Sequence, residues 1–341
     1  MMEELTDRRR AVLGLVVRQY IATATPVGSK TIVEQYGLGV SSATIRNEMA
    51  YLEEQGYLTH PHTSAGRVPT EKGYRYFVER LMGEAELPLA EQRTIRHQFH
   101  QARLDLEQWM RLAAAVLART AHSTSLVAAP TVAQCCFKHL ELLAAHSSRI
   151  LLVLVLREGM VKQQMLTLTH SLAQEELNQV ANRLNDLFAG LSADQIVTSS
   201  YRLTALEEQI VNLLIEMMKG AEARSSGEIY RDGLMNIFRQ PEFSEIENVR
   251  QIIRVLEERS LLETILAEVL NSSGVQVIIG GEGRWDELSE CSVVLAPYGE
   301  AGRAVGALGV LGPMRMRYGR AISTVRYVAD LLSDLLCDLY G

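Results

Sequence analysis

The sequence has few of the features that mark secreted, membrane or metal-binding proteins. Only four of its 341 residues are cysteine, and none are spaced as CxxC pairs, so neither a disulfide framework nor a zinc site is expected. No apolar run approaches the roughly 18 to 20 residues that a membrane span requires, and the N-terminus lacks the apolar stretch of a secretory signal. We therefore expect a cytoplasmic protein with reduced cysteines, no metal and no membrane contact.

Motifs of catalysis and of nucleotide binding are also missing. The sequence has no GxSxG motif, and its scattered serine, histidine and aspartate residues do not define a triad. The cluster Gly280, Gly281 and Gly283 follows an expected strand, but it lacks the spacing of a dinucleotide site and is not followed by the Lys-Ser/Thr pair of a P-loop. A plain turn is the favoured interpretation, and we expect no enzymatic activity and no cofactor.

The charge of the chain is distributed unevenly. A net charge of −7 should repel DNA phosphates. Residues 1–82, however, contain ten Lys or Arg against nine Asp or Glu, so the acidic excess lies in the remainder. The length predicts two or three domains. A near-neutral N-terminal domain joined to an acidic body remains compatible with DNA binding if its basic residues share one face.

Three short helices are expected near the N-terminus. Thr6 is a suitable cap for the first helix, which should end near Pro26 because the residue before proline avoids the α region. Ser29 begins the second helix, and Ser41 or Ser42 caps the third after a glycine-containing turn. This compact arrangement is typical of a helix-turn-helix.

The third helix has the pattern of a DNA recognition helix. Ile45, Met49 and Leu52 recur at helical spacing and should be buried, which leaves a polar face that begins at the helix N-terminus. Arg can donate two hydrogen bonds to guanine, and Asn can form hydrogen bonds with adenine. Small side chains allow the helix to approach the bases closely. The residues predicted to meet base edges are Ser41, Ser42, Ala43, Thr44, Arg46 and Asn47. Taken alone, the same pattern also fits a solvated amphipathic helix.

The residues after this helix favour the DNA-binding interpretation. Gly56 should end the helix, and two short extended segments, near Tyr57 and Val68, flank a loop that contains no acidic residue. Such a loop is typical of a wing that touches phosphates or the minor groove. The predicted wing contacts are His62, Thr63, Ser64, Gly66 and Arg67. A surface loop with a merely solvated Arg67 is the alternative. Thr70 should cap a following helix whose aromatic residues pack beneath the domain.

Four runs in this region resemble the HrcA family of heat-shock repressors. They are VSSATIRNEMAYLEEQGYL from Val40 to Leu58, PHTSAGRVP from Pro61 to Pro69, EKGYRY from Glu71 to Tyr76, and ATPVGSK from Ala24 to Lys30. The resemblance implies a homodimeric repressor of chaperone operons that binds an inverted-repeat operator called CIRCE and whose active state is promoted by the GroEL chaperonin. It places DNA contacts on residues 41–47 and on the wing, residues 62–67.

Beyond residue 82 the motif match is weaker, and the resemblance to the family rests on the order and length of the expected elements. A long helix is expected from Pro88 to about Arg119, followed by strands at 138–145, 149–156 and 161–168, the middle one buried on both faces, and a helix at 172–188. Residues 203–270 have an almost purely helical pattern. Strands return at 275–279, 292–297 and 304–311 before a final amphipathic helix.

The resemblance implies a multidomain α+β fold in which a GAF-like domain contains an inserted dimerisation domain. The expected divisions are a winged helix-turn-helix at 1–82, the first part of the GAF-like domain with a connector helix at 83–202, a mainly helical dimerisation domain at 203–272, and the second GAF-like part at 273–341. The sequence alone fits three consecutive units equally well.

Three functions remain open at this stage. The first is a dimeric repressor whose two DNA-binding domains occupy two half-sites, because a two-fold protein matches a palindromic site. The second keeps the DNA-binding domain and makes the body a metabolite-sensing switch. The third is an enzyme with an appended interaction domain, for which the sequence offers no cluster of titratable residues. The heat response expected of the family could come from thermal lability or from competition for chaperonin, and we expect the latter.

Overall fold

The structure is a computed structural model that describes residues 5–36, 39–61, 66–102, 105–132, 135–145, 148–157, 160–168, 170–225, 228–243, 246–270, 274–300 and 304–340. It is a mixed α+β fold. The chain forms two compact units. The first comprises Met1–Val127, Tyr230–Pro297 and Ala307–Ala329, and the second comprises Ala128–Ile229, Tyr298–Gly306 and Asp330–Gly341. Each unit therefore combines segments that are distant in the sequence.

The first unit starts with helix α1, Asp7–Thr23. The Thr6 hydroxyl accepts a hydrogen bond from the amide of Arg9 at 3.5 Å, which confirms the predicted cap. Leu13, Val16 and Val17 are completely buried on one face. The helix ends because Ala24 adopts a left-handed conformation with φ 54°, and its amide bonds to the carbonyl of Tyr20.

Two further helices and a hairpin follow as the sequence predicts. Helix α2 covers Ser29–Tyr36 and helix α3 covers Ser42–Glu54. Strands β1, Leu58–Thr59, and β2, Val68–Pro69, pair antiparallel. Helix α4, Glu71–Tyr76, is capped by Thr70 and continues as a π-helical turn over Phe77–Leu81. Tyr74, Tyr76 and Phe77 are buried, which confirms that these aromatic residues pack inside the unit.

The predicted long helix from Pro88 to Arg119 is wrong. The structure has two helices, α5 at Leu89–Gln101 and α6 at Leu106–Ala121. The break occurs because Ala102 and Asp105 take extended conformations, and the Asp105 carboxylate accepts a hydrogen bond from the amide of Glu107 at 3.0 Å. An aspartate at this position starts a new helix rather than continuing the old one.

The remaining elements follow in chain order. They are β3 Thr124–Ala128, β4 Thr131–Val132, β5 Phe137–Ala144, β6 Arg149–Leu156, β7 Val161–Thr167, α7 Gln174–Phe188, α8 Ala193–Thr198, α9 Ala205–Ser225, β8 Ile229–Asp232, α10 Leu234–Phe238, α11 Ile246–Glu257, α12 Arg259–Leu270, β9 Gln276–Ile279, β10 Cys291–Glu300, β11 Ala304–Pro313 and α13 Tyr318–Tyr340. Short 3-10 turns cover Pro241–Phe243, Gly280–Gly283 and Asp286–Leu288.

A sheet with the strand order β8-β3-β11-β10-β9 forms the centre of the first unit. The β11–β3 and β10–β9 pairs are antiparallel. The predictions of β9, β10 and β11 are confirmed, but β3 and β8 were not foreseen. Strand β8 has only four residues, Ile-Tyr-Arg-Asp, which do not alternate between polar and apolar side chains and lie within a segment of helical pattern.

A second, three-stranded sheet with the order β5-β6-β7 belongs to the second unit. One face is buried against α7, α8 and α9, and its core side chains include Phe137, Leu152, Leu184 and Leu214. The expectation that β6 is buried on both faces is wrong, because Leu151, Val153 and Val155 remain partly exposed.

The compact units do not follow the boundaries that the sequence predicts. Helix α9 packs with the three-stranded sheet in the second unit, whereas α11 and α12 belong to the first. Strands β5 to β7 pair with one another through short connections, and the six-stranded sheet, in which β4 also pairs with β11, is a separate sheet. Antiparallel strands joined by short turns pair locally, so this three-stranded sheet closes without the C-terminal strands.

The glycine cluster at 280–283 forms a turn. Gly280, Gly281 and Glu282 all have positive φ, and the Glu282 carboxylate pairs with Arg75 and with Arg284. A carboxylate held in the turn disfavours a bound phosphate. Within the part of the chain described, no helix combines the length and apolar character that a membrane crossing requires.

Candidate nucleic-acid interface

Helix α3 has a buried face and an exposed face. Ile45, Met49 and Leu52 are 3% exposed or less, which confirms the predicted apolar stripe. Ala43, Arg46 and Asn47 lie on the opposite, exposed side. Because α1 and α2 pack against α3 in the first unit, the exposed side is held in one orientation.

The N-terminal end of α3 leaves two long polar side chains available. Arg46 and Asn47 are exposed, and neither bonds to a residue in the described ranges. Ser41 caps the helix, since its hydroxyl accepts a hydrogen bond from the amide of Thr44 at 3.2 Å and lies 3.0 Å from the Thr44 hydroxyl. Ser42 lies in the first turn and is half-buried. A helix N-terminus also attracts anions such as phosphate. This end of α3 therefore offers hydrogen-bonding groups and a favourable field to a nucleic acid.

A carboxylate next to these groups is neutralised by α1. Glu48 accepts a hydrogen bond from Nε of Arg9 at 3.1 Å and lies 3.7 Å from Arg8. The Arg9 guanidinium also stacks 3.4 Å from the ring centroid of Tyr51. An uncompensated carboxylate would repel phosphates, so these arginines lower the electrostatic cost of bringing DNA to this face. This role of Arg8 and Arg9 was not predicted from the sequence, because both arginines lie in α1 and contact Glu48 of α3, far along the chain.

The hairpin is attached to α2 through a close backbone contact. Val27 and Arg67 exchange two backbone hydrogen bonds of 2.9 Å. A Cβ atom at Gly66 would lie 2.5 Å from the backbone of Val27, closer than atoms can pack. Gly66 thus lies in close contact with Val27, and the prediction that it also permits approach to DNA stays a prediction.

Arg67 is held by an acidic side chain of α3. Its Nη2 lies 2.7 Å from Oε2 of Glu53, and the other carboxylate oxygen of Glu53 contacts Nδ1 of His60. The side chains of Arg67 and Glu53 are 24% and 23% exposed. We call Glu53, His60 and Arg67 the hairpin base. Glu53 was not predicted as a site residue, because its contact with Arg67 spans fourteen positions and produces no local sequence pattern.

The predicted wing contacts therefore fall into two groups. Gly66 and Arg67 lie at the foot of the loop. His62, Thr63 and Ser64, which were expected at its tip, lie outside the described residues. Arg67 is thus already paired with Glu53 within the protein.

The C-terminal end of α3 is joined to the hairpin by Thr70 and Lys72. The Thr70 hydroxyl donates a hydrogen bond to the carbonyl of Gly56 at 2.7 Å, and Nζ of Lys72 donates to the carbonyl of Gln55 at 2.7 Å. The Lys72 ammonium also lies 4.3 Å from the ring centroid of Tyr57. These bonds satisfy carbonyls that the helix end leaves open and fix α3 relative to the hairpin.

Burial affects two ionisable groups of α4. Burial raises the pKa of Tyr74 well above its ordinary value, and burial together with the charge of Glu290 raises the pKa of Glu71. Both groups face the body of the first unit rather than the exposed side of α3, and Tyr74 packs against Tyr318. Among the described residues, no three His, Cys, Asp or Glu side chains converge as they would around a metal ion.

Comparisons with known proteins point to one family. The family model described as HrcA protein C terminal domain matches residues 107–322. The heat-inducible transcription repressor HrcA of Roseiflexus castenholzii is 49% identical over 349 residues, covering 100% of this chain and 97% of that protein. The protein of the same name from Herpetosiphon aurantiacus is 48% identical, covering 99% of this chain and 97% of that protein.

A solved structure has a similar fold over nearly the whole chain. The crystal structure of a hypothetical protein aligns with a TM-score of 0.62 and 25% identity, covering 98% of each chain. The match extends through both the N-terminal helices and the body. The order of elements described above is therefore one that an experimentally determined protein also adopts.

Proposed function

The chain belongs to the HrcA family of heat-inducible transcription repressors and is a negative regulator of heat-shock genes, and we propose that it acts as a homodimer that binds the CIRCE inverted repeat. Its N-terminal 82 residues then form a winged helix-turn-helix, with α3 as the recognition helix and the β1–β2 hairpin as the wing. The observation that carries this proposal is that Arg46 and Asn47, at the N-terminal end of α3, are exposed and that their side chains bond to no residue in the described part of the chain.

Direct readout follows from the chemistry of these side chains. Arg46 can donate two hydrogen bonds to O6 and N7 of guanine, and Asn47 can pair with adenine. Ser42, Ala43 and Thr44 are small enough for α3 to enter the major groove closely. The loop at 62–65 touches the phosphates or the minor groove. A transcription repressor belongs to no enzyme class, and these contacts need neither a metal nor a cofactor.

Dimerisation is best placed on the second unit. Helix α9, part of the region 203–272 that was expected to dimerise, buries Ile210, Leu214 and Met218 in its own unit. In contrast, the unburied face of the three-stranded sheet is rich in apolar side chains. We call this surface the outer face. Its apolar members are Leu143, Leu151, Val153, Val155, Val161 and Met165, and it also carries His139, Glu141 and Gln163.

The outer face fits a second copy of this chain. Strand pairing places Leu143, Leu151 and Met165 in one row and Val155 beside Val161, and Leu143, Val161 and Met165 are each about half exposed, at 45%, 54% and 47%. Several large exposed apolar side chains on one face, among polar ones, favour an interaction site. An inverted repeat requires two DNA-binding domains related by a two-fold axis, so the occupant we propose is the same face of another protomer. Residues 128–229, the longest segment of the second unit, are then an insertion into a GAF-like domain.

The dimer interface is tested by Met165→Asp. A buried carboxylate in an apolar interface is costly, so we expect a monomer by sedimentation at concentrations where the unsubstituted protein is a dimer. Gln179→Asp is the control, since Gln179 is exposed on α7, which packs against the opposite face of the sheet. A Met165→Asp variant that remains fully dimeric would move the interface elsewhere.

The operator is tested by gel-shift titration at fixed salt. We expect the full-length protein to bind a duplex carrying the CIRCE repeat tightly and to lose most of that affinity when one half-site is scrambled. Equal affinity for CIRCE and random duplexes in a correctly folded preparation would exclude this operator. Equal affinity for the intact and half-scrambled sites would instead exclude two-site binding.

The chaperonin is the second partner we propose, in the cytoplasm. The outer face is uncovered in a monomer, and exposed apolar surface of this kind promotes aggregation and chaperone capture. We therefore expect added GroEL to raise the yield of DNA-binding protein after refolding. A yield that does not change with GroEL would favour intrinsic thermal lability as the source of heat induction.

A further inference from the structure

A polar cleft of about 390 Å³ lies within the first unit, where the end of α1 meets the body. Its walls come from the last turn of α1, the junction of α6 and β3, helix α10 with the residues after it, and the connection between β11 and α13. The volume falls within the roughly 300 to 1,000 Å³ of small-molecule sites. The cleft is thus a candidate ligand site with one wall on the DNA-binding segment and the others on the body.

The cleft is lined by an excess of positive charge. Arg239, Arg315, Arg317 and His122 all contribute to its walls. Arg315 is accounted for, because it pairs with Glu242 and donates to the side-chain oxygen of Gln240 at 2.7 Å. Arg239 and Arg317 are exposed and form no ion pair within the part of the chain described. Two guanidinium groups therefore remain without a counter-ion.

The nearby helix ends do not explain these two arginines. Carbonyls at a helix C-terminus attract cations, and α1, α6 and α10 all end beside the cleft. Other donors already serve these carbonyls. Arg315 bonds to the carbonyl of Ile21 at 3.4 Å, Arg320 bonds to that of Thr120 at 3.1 Å, and Asn236 bonds to those of Ala118 and Ser123, each at 3.2 Å.

The lining also limits the class of ligand. No aromatic side chain contributes to the walls among the described residues, so nothing there would stack on a nucleobase. Arginine forks bind the oxygens of phosphate in pairs, and such charge-assisted bonds are stronger than neutral ones. We propose that the cleft binds a compact phosphate anion, a diphosphate or the polyphosphate end of a larger metabolite, through Arg239 and Arg317.

Such an anion would couple the cleft to DNA binding, a consequence that depends on the function proposed above. The ligand would contact Ile21 and Ala22 at the end of α1 as well as arginines of the body. Any ligand that binds one arrangement of these two parts more tightly shifts the population toward it. Operator affinity would then change with the concentration of the anion, and operator DNA would change the affinity for the anion by the same factor.

Isothermal titration calorimetry of the full chain with sodium pyrophosphate tests the site directly, with sodium chloride at equal ionic strength as the blank. The test variant is Arg239→Gln/Arg317→Gln. The matched control is Arg93→Gln/Arg96→Gln, which removes two exposed arginines of α5 that have no ion pair among the described residues. We expect saturable binding by the unsubstituted and control proteins and about tenfold or greater loss in the test variant. No saturable binding, or equal binding by all three, would overturn the proposal.

Three further titrations, with tripolyphosphate, ATP and adenosine, identify the source of the phosphate. Tripolyphosphate and ATP should bind with similar affinity if the polyphosphate alone is recognised, and adenosine should not bind. Much tighter binding of ATP than of tripolyphosphate would contradict a site without nucleoside contacts. Thermal melts of both double variants should match that of the unsubstituted protein, because all four arginines are exposed.

Gel shifts separate this site from the DNA interface. Without pyrophosphate, the Arg239→Gln/Arg317→Gln variant should bind the operator as the unsubstituted protein does, and a loss there would assign the two arginines to DNA phosphates and overturn the proposal. With pyrophosphate, operator affinity should change only in proteins that retain both arginines. An unchanged affinity would overturn the coupling but not the site. If the protein did not bind the operator at all, the proposed function would be contradicted, and calorimetry would still test whether the cleft binds the anion.

Discussion

The N-terminal end of α3 and the hairpin base each present an arginine, and the two arginines are in opposite situations. Arg46 is exposed and unbonded among the described residues, whereas Arg67 is three-quarters buried and paired with Glu53. A free guanidinium can exchange water for a base edge, but a paired one must first lose its partner. Among the described residues, Arg46 is therefore available to a partner outside the protein, whereas Arg67 is committed to the hairpin base.

The largest effect should follow from Gly66→Ala, which attacks the hairpin base. The new Cβ would lie 2.5 Å from backbone atoms of Val27, which cannot rotate away. We expect a loss of about 1 to 3 kcal/mol in the free energy of unfolding, as for other overpacked sites, together with weaker binding to every duplex. Thermal melts and gel shifts measure the two effects.

Gly83→Ala provides the control for this substitution. A Cβ atom there meets nothing within 4 Å, and the backbone conformation is not left-handed. Its melting temperature should equal that of the unsubstituted protein. If Gly66→Ala were equally harmless, the hairpin could not be anchored as tightly to Val27 as the structure indicates.

Arg46→Ala should affect DNA readout without affecting stability. Because Arg46 is exposed and unbonded, its loss leaves the protein's own contacts intact. If it binds guanine, CIRCE affinity should fall by about 1 to 3 kcal/mol while affinity for random duplex falls much less. Titrations of both duplexes at several salt concentrations measure the difference. Equal losses on the two duplexes would instead assign Arg46 to the phosphate backbone.

Local patterns predicted the N-terminal helices, their caps and their buried stripe well, because the relevant information is local. The buried stripe of Ile45, Met49 and Leu52 follows from helical periodicity, and the caps at Thr6 and Thr70 follow from hydroxyl chemistry. The pairing of Glu53 with Arg67 could not be predicted, since it depends on how the hairpin folds back on α3. For the same reason the wing was expected to hold a free Arg67.

In the body, the sequence predicted strands better than their partners. Alternation of side chains located β5, β6 and β7, yet nothing in that alternation tells which strands share a sheet. The predicted insertion at 203–272 therefore cut through the second unit, which contains α9. The break between α5 and α6 was missed because apolar residues continue at helical spacing across it, and only Asp105 signals a new start.

Glu53→Gln should weaken the contacts of the hairpin base. Glutamine keeps the size of the side chain but removes the charge that holds Arg67 and His60. We expect a loss of about 1 kcal/mol or less in stability, because the ion pair is partly exposed to solvent. Arg67 would be released and one negative charge would be lost, so binding to random duplex should strengthen and its salt dependence should steepen.

Glu54→Gln is the matched control, because Glu54 is exposed on the same helix and is not part of the hairpin base. It removes the same charge, so it should reproduce any general electrostatic gain. Only Glu53→Gln should also reduce the preference for CIRCE over random duplex. If the two variants behaved identically, Glu53 would act through its charge alone and not by positioning the loop.

Lys72→Met gives the smallest expected effect. It tests whether Lys72 only supports α3 against the hairpin or also contacts DNA. In the structure its ammonium bonds to the carbonyl of Gln55 and lies over the ring of Tyr57, and methionine keeps the apolar stem while removing both interactions. If Lys72 only braces α3 against the hairpin, stability should fall by about 0.5 to 1 kcal/mol with an unchanged salt slope of DNA binding. A phosphate contact would instead lower the salt slope by about one and weaken all duplexes alike. That result would make Lys72 part of the DNA interface, and the hairpin side would then contribute direct contacts as well as support.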